Sequence, residues 1–186
     1  MGKKKERLSG GQPRAQAALS TTGDSPWATY QRSSQVTSRT LILTGGPIFD
    51  PDDVARHPEQ YLLDIHAHEA EATRIWMDRR RRDNAWSEGV VMLRYQETEL
   101  MPAGAVDDVC ALWGSLLHLI EQFQHTGRAE TSFFSSPIPI VLETIKRRVF
   151  FSVDHGPRTM VEPEPFMTSL AEEADRFFHW TEQHLR

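Results

Sequence analysis

The chain is short of the features that announce a chemistry. It has one cysteine, Cys110, in 186 residues, which excludes an intrachain disulfide, and its apolar neighbours mark a buried, inert thiol. No apolar run approaches the roughly 18 residues that a membrane span requires. The Lys3, Lys4, Lys5 run is followed by Ser, Gly, Gln and Pro where a signal peptide would turn apolar, and Glu6 stands where a myristoylation signal needs Ser or Thr. The expected location is cytoplasmic. No Gly-x-Ser-x-Gly elbow is present, and neither Gly10-Gly11 nor Gly45-Gly46 has the further residues of a phosphate cradle. No catalytic residue and no cofactor is therefore expected.

What is present is an uneven distribution of charge. Residues 1–40 hold Lys3, Lys4, Lys5, Arg7, Arg14, Arg32 and Arg39 against Glu6 and Asp24, an excess of +5. The remainder carries 14 basic and 24 acidic residues, or −10, giving the net −5 of the whole chain. An acidic body steers basic partners toward itself and repels nucleic acid. Arg79, Arg80, Arg81 and Arg82 form the one basic run of the body, but Asp78 and Asp83 flank it. Neither nucleic acid nor membrane is expected as a partner.

The chain divides at about residue 38. Residues 1–38 are rich in Gly, Ser, Thr, Gln and Ala and read as a disordered basic tail, with Trp27 and Tyr30 as aromatic exceptions that could dock onto the body. Residues 39–186 read as a single α+β domain. A strand at residues 40–44 runs into Gly45-Gly46-Pro47, and Asp50-Pro51 reads as an N-cap and first helical position. Residues 61–68 alternate as a strand would, with a helix running from there on through 69–76 as the other reading, and 78–83 read as an exposed turn. A strand is expected over 89–100 and a long helix over 105–126, stopped by Gly127.

Strands at 133–134, 138–145, 147–153 and 159–162 follow, with Pro137 and Pro139 confining the second of these to an edge or bulge. A turn is expected over 154–157 and a final helix over 166–185. Hairpin-linked strands with two long amphipathic helices imply an antiparallel sheet packed on one side by those helices.

Three side-chain groups could carry chemistry. Asp64, His66 and His68 would share one face of a strand, and two imidazoles at i, i+2 form a workable pair of zinc ligands. His118, Glu121 and His125 align on the long helix but project away from its apolar arc, which makes them a solvated stripe. Asp154-His155 reads as a turn-forming pair.

Two resemblances attach to these residues. The string Asp64-Ile65-His66-Ala67-His68 resembles the Asp-x-His-x-His of amidohydrolase-type metal hydrolases, which implies a small metal-dependent hydrolase using Asp64, His66 and His68. The layout over residues 89–185, with its strand, long helix, hairpins and C-terminal helix bearing Phe177-Phe178, resembles the small α+β immunity proteins of bacterial toxin systems. That second resemblance implies a non-catalytic module that binds and neutralises a basic protein partner such as a toxin. Glu97, Glu99, Asp107, Asp108, Glu162 and Glu164 are the candidate partner-binding residues, and the immunity-type binding module is the expected function, with the hydrolase as its alternative.

Overall fold

The computed structural model describes residues 36–45, 50–83, 87–101 and 104–185. The expected tail falls outside the described residues up to position 35. Val36 to Ser38, read from sequence as its end, already belong to the first strand, β1 (Val36–Leu43).

β1 is apolar on both faces because it lies between two layers. Val36, Thr40 and Ile42 turn toward the main core, where the buried Trp113 Nε1 donates to Thr40 Oγ1 at 3.0 Å. Leu41 and Leu43 turn the other way and close a small second cluster with Val54, Leu62 and Val90. Val54 belongs to α1 (Pro51–Arg56), which starts as expected: Asp50 accepts hydrogen bonds from the amides of Asp52 and Asp53. A single turn, α2 (Pro58–Tyr61), leads into the three-residue β2 (Leu62–Asp64).

Residues 78–83 are not a turn but the last part of α3 (Glu69–Asp83). Its sequence has little amphipathic pattern, and what holds it is Trp76, packed against Phe177 and Trp180 at ring separations of 6.3 and 5.6 Å. Pairs of Arg74 with Glu71 and Asp78 at helical spacing add a few tenths of a kcal/mol each.

The strand expected over 89–100 is two strands, β3 (Glu88–Tyr95) and β4 (Thr98–Met101), with the chain reversing at Gln96, whose φ is 55°. Gly89 sits where β3 crosses closest to β1: a Cβ there would lie 2.0 Å from the Leu41 carbonyl oxygen. β5 (Asp107–Asp108) pairs with Glu88 and Gly89, and α4 (Val109–Thr126) starts from Asp108, whose carboxylate accepts from the Ala111 amide at 2.8 Å. Gly127 ends α4 in the left-handed conformation at φ 71°.

The second half is a meander of β6 (Arg128–Ser132), β7 (Pro139–Ile145), β8 (Arg148–Val153) and β9 (Thr159–Val161), followed by α5 (Pro163–His184). Lys146 and Arg147, both at positive φ, form the tight β7–β8 turn. The strands therefore form two antiparallel sheets, β2-β1-β3-β4 with β5 beside β3, and β6-β7-β8-β9. The sequence reading had placed them in one. β7 is an interior strand, and Pro139 is tolerated there because it is the first residue, where no ladder amide has to be supplied.

One core joins both sheets and both long helices. Val91 and Leu93 of β3 meet Leu112, Trp113 and Leu116 of α4, Ile140, Leu142 and Phe151 of the second sheet, and Phe166, Leu170 and Phe177 of α5. Burying each such side chain contributes about 1.5–3 kcal/mol. Among the described residues no helix is long and apolar enough to cross a membrane.

Candidate interaction groove

α4 and α5 turn their apolar stripes into the core and leave an open groove of about 610 Å³ along their outer seam. On α5 the lining residues recur at helical spacing: Glu164, Met167, Thr168, Ala171, Glu172 and Asp175. This stripe adjoins the buried one of Phe166, Leu170, Ala174 and Phe177, so its inner members, Met167 and Ala171, are half-buried against the core. From α4 come Ile120, itself buried, and the exposed Gln124. The result is an apolar floor of Ile120, Met167 and Ala171 with Glu164, Glu172 and Asp175 exposed along the rim. Among the described residues none of these three carboxylates has an ion-pair partner, and no cation lines the groove. From Glu164 to Asp175 it runs roughly 17 Å, three turns of helix.

A second concavity, about 400 Å³, lies on the β6-β7-β8 sheet and is lined by Arg128, Glu130, Glu143, His155 and Arg158 among others. Its charges are spent on one another. Glu143 lies 3.1 Å from Arg158 Nε and 3.7 Å from Arg128 Nε, and Arg128 Nη2 lies 3.0 Å from Glu130. In the groove between the helices, by contrast, the charge is not internally cancelled among the described residues.

The six acidic candidates separate into three groups. Asp107 and Asp108 hold the fold together. Asp107 is buried and its carboxylate accepts from the amides of Phe134, at 2.6 Å, and Ser135, at 2.8 Å. Asp108 caps α4 and accepts from the Ser87 amide and hydroxyl at 3.0 and 3.1 Å. Both carboxylates are turned inward, so they are not free to meet a partner.

Glu97 and Glu99 are exposed on the β3–β4 hairpin, roughly 20 Å along β3 from the Asp107–Asp108 end. Glu97 lies 3.6 Å from Arg94, and Glu99 pairs with Arg94 in the ladder. Glu162 starts α5, its amide donating to the Tyr95 hydroxyl, and Glu164 begins the groove. Glu172 and Asp175, which complete the groove, were not singled out from sequence. Their signal was there in the spacing of acids beside the apolar arc of α5.

The strand face expected for Asp64, His66 and His68 does not form. β2 ends at Asp64, whose carboxylate accepts from the amides of His66 at 3.0 Å and Ala67 at 3.2 Å and turns the chain into α3. The imidazoles leave the strand at that turn. Arg39 Nε donates to the other Asp64 oxygen at 2.8 Å. Burial pushes the Asp64 carboxyl up, but the bonds from Arg39, Ala67 and His66 outweigh it and hold it below the usual carboxylate range. Burial pushes His66 down, as does the charge of Arg176, against the weaker upward pull of Asp64, Glu69 and Glu173. Among the described residues no group of three His, Cys, Asp or Glu is placed to hold a metal ion.

The other candidates are accounted for locally. His118 lies 3.7 Å from Glu121 and shares a 2.8 Å hydrogen bond with Gln122 on the exposed face of α4. Burial pushes the Cys110 thiol up, and the Asp108 charge adds to this against a hydrogen bond with Ser87, the opposite of what a nucleophilic thiolate needs. Arg79 donates to the Gly45 carbonyl at 2.8 Å and Arg80 to that of Leu185 at 3.3 Å, so two of the four clustered arginines tie α3 to its neighbours. Asp154 and His155 both take positive φ in the β8–β9 turn.

Compared with known proteins, the chain matches no family model, no curated protein sequence and no solved structure.

Proposed function

We propose that this protein is a non-catalytic binding module that docks a basic, amphipathic segment of a partner protein in the groove between α4 and α5. The observation that carries the reading is the pairing of an apolar floor, Ile120, Met167 and Ala171, with three rim carboxylates that have no countercharge among the described residues. A helix with Leu or Met on one face and Lys or Arg beside it would bury its apolar stripe on that floor and place cations at Glu164, Glu172 and Asp175. A body of charge −10 would speed the encounter by steering. Glu162, beside the groove at the start of α5, and the exposed Glu97 and Glu99 belong to the same steering field. The sequence resemblance to immunity proteins gives the partner its class: a basic toxin neutralised by occlusion. The packed faces of the two long helices fix the width of the seam.

The test is calorimetric titration of the full chain with a synthetic 14-residue Leu/Lys amphipathic helix. Micromolar binding that weakens at least tenfold between about 50 and 500 mM salt, and that is lost in the Glu164→Gln, Glu172→Gln, Asp175→Asn triple variant, is expected. Equal binding by the triple variant would overturn the assignment of the groove.

A further inference from the structure

The groove has a candidate occupant in the chain itself. Residues 1–35, outside the described residues, carry six basic residues against two acidic ones, opposite in sign to the groove rim. Where this segment joins the body is fixed by hydrogen bonds. The Val36 amide donates to Ser169 Oγ at 2.9 Å, and further along β1 the Ser38 amide donates to Glu173 at 3.1 Å while Arg176 donates to the Ser38 carbonyl at 3.2 Å. β1 therefore runs alongside α5 on a stripe of Ser169, Glu173 and Arg176. The segment enters beside the first turns of the same helix that forms the groove.

At 100° per residue the β1 stripe and the groove stripe of α5 lie roughly 140° apart, with the solvent-exposed back of the helix between them. Travelling that arc at the surface of a helix about 10–12 Å across takes roughly 15 Å. At about 3.3 Å per residue, five residues before Val36 are enough. Tyr30, six residues away, and Trp27, nine away, are the first large apolar side chains to arrive, and Arg32 lies between them and the body. Their order matches the groove: a cation for the carboxylate rim, then two aromatic rings for the floor of Ile120, Met167 and Ala171.

We infer that residues 27–32 of this chain dock in the α4–α5 groove and guard it, so that a basic partner has to displace them. This rests on the reading of the groove as a docking site. Tethering gives the segment an effective concentration in the millimolar range, so even a weak contact keeps the groove largely filled. An acidic, apolar-floored groove is thereby screened from adventitious basic chains and opened to a partner that binds more tightly.

The test uses the full chain with a nitroxide on Ala28→Cys in a Cys110→Ser background. Docking predicts broadening of the Thr168, Ala171 and Glu172 amide resonances at about 20 mM salt, relieved at about 0.5 M salt and absent in the Glu164→Gln, Glu172→Gln, Asp175→Asn variant. Broadening that misses these amides, or that persists in the charge variant, overturns the inference. A second measurement separates it from the reading it rests on. The full-length Trp27→Ala, Tyr30→Ala variant should bind the Leu/Lys peptide about fivefold more tightly than the wild type, because its competitor is gone. Equal affinities would sink the guard and leave the groove reading standing, whereas groove broadening in a protein that binds no peptide with or without Trp27 and Tyr30 would do the reverse.

Discussion

Replacing Asp107 by alanine separates a carboxylate that builds the fold from one that meets a partner. Asp107 is 2% exposed, and its two oxygens accept from the consecutive amides of Phe134 and Ser135 at 2.6 and 2.8 Å. These bonds fasten the β6–β7 connection to β5, in the other sheet. A hydrogen bond to a charged group contributes about 1.5–3 kcal/mol. Phe134 and Ser135 are exposed residues whose amides can recover some hydration, so the lower part of that range applies to each. The expected loss for Asp107→Ala is about 3 kcal/mol, which for a folded body of this size lowers Tm by roughly 6–12 °C. Urea unfolding followed by circular dichroism reads it directly, with the slope m showing that the transition itself is unchanged. Glu99→Ala, on the exposed hairpin, should move stability by no more than about 0.5 kcal/mol. A loss below that same 0.5 kcal/mol for Asp107→Ala would refute the structural role given to this carboxylate.

Other consequences follow from the same geometry. Gly89→Ala places a methyl group 2.0 Å from the Leu41 carbonyl oxygen, so β1 and β3 have to separate; a loss of more than about 3 kcal/mol in urea unfolding is expected, and a neutral result would mean the strands part without cost. The Asp64 carboxylate is held below the usual range, so its charged form stabilises the folded state. That contribution is complete above the unfolded-state value and is lost as pH falls through the folded one. The stability difference between wild type and Asp64→Asn should therefore be constant from about pH 5 to 8 and close below about pH 4; a difference that grows on acidification would contradict the assignment. Phe177→Ala empties a core site shared by Trp76, Trp113 and Phe178 and should cost about 3–5 kcal/mol, and a melting temperature within a degree of wild type would argue against that packing.

The parts of the fold legible in the sequence were those set by strong local signals. α4 has a complete apolar arc and a Gly C-cap, although its start at the Asp108 N-cap was not read, and two runs of β-branched and aromatic residues mark β7 and β8. α3 was only partly legible because its helical form depends on Trp76 reaching α5, a contact between residues about a hundred positions apart. The alternation over residues 61–68 was a sound strand signal that local turn chemistry overrode, since the Asp64 carboxylate captures the His66 and Ala67 amides and bends the chain.

The split into two sheets was beyond reach for a similar reason: periodicity locates strands but does not name their neighbours. The candidate site fared likewise. Glu164 lines the groove while Asp107 is buried in the fold, a difference that sequence does not carry, because acidity is visible in a sequence and the direction of a carboxylate is not. A groove between helices is a property of their pairing, and only that pairing brings Ile120 beside Met167 and Ala171.

The most direct test of the central claim is to map where a basic amphipathic helix binds. Amide chemical shifts of the full chain, followed while the Leu/Lys 14-residue peptide is added at low salt, should change at Ile120, Gln124, Glu164, Met167, Ala171, Glu172 and Asp175 and stay still on the β6-β7-β8 sheet. Shifts centred on the β3–β4 hairpin or the sheet concavity, with the α4–α5 seam unmoved, would contradict the account.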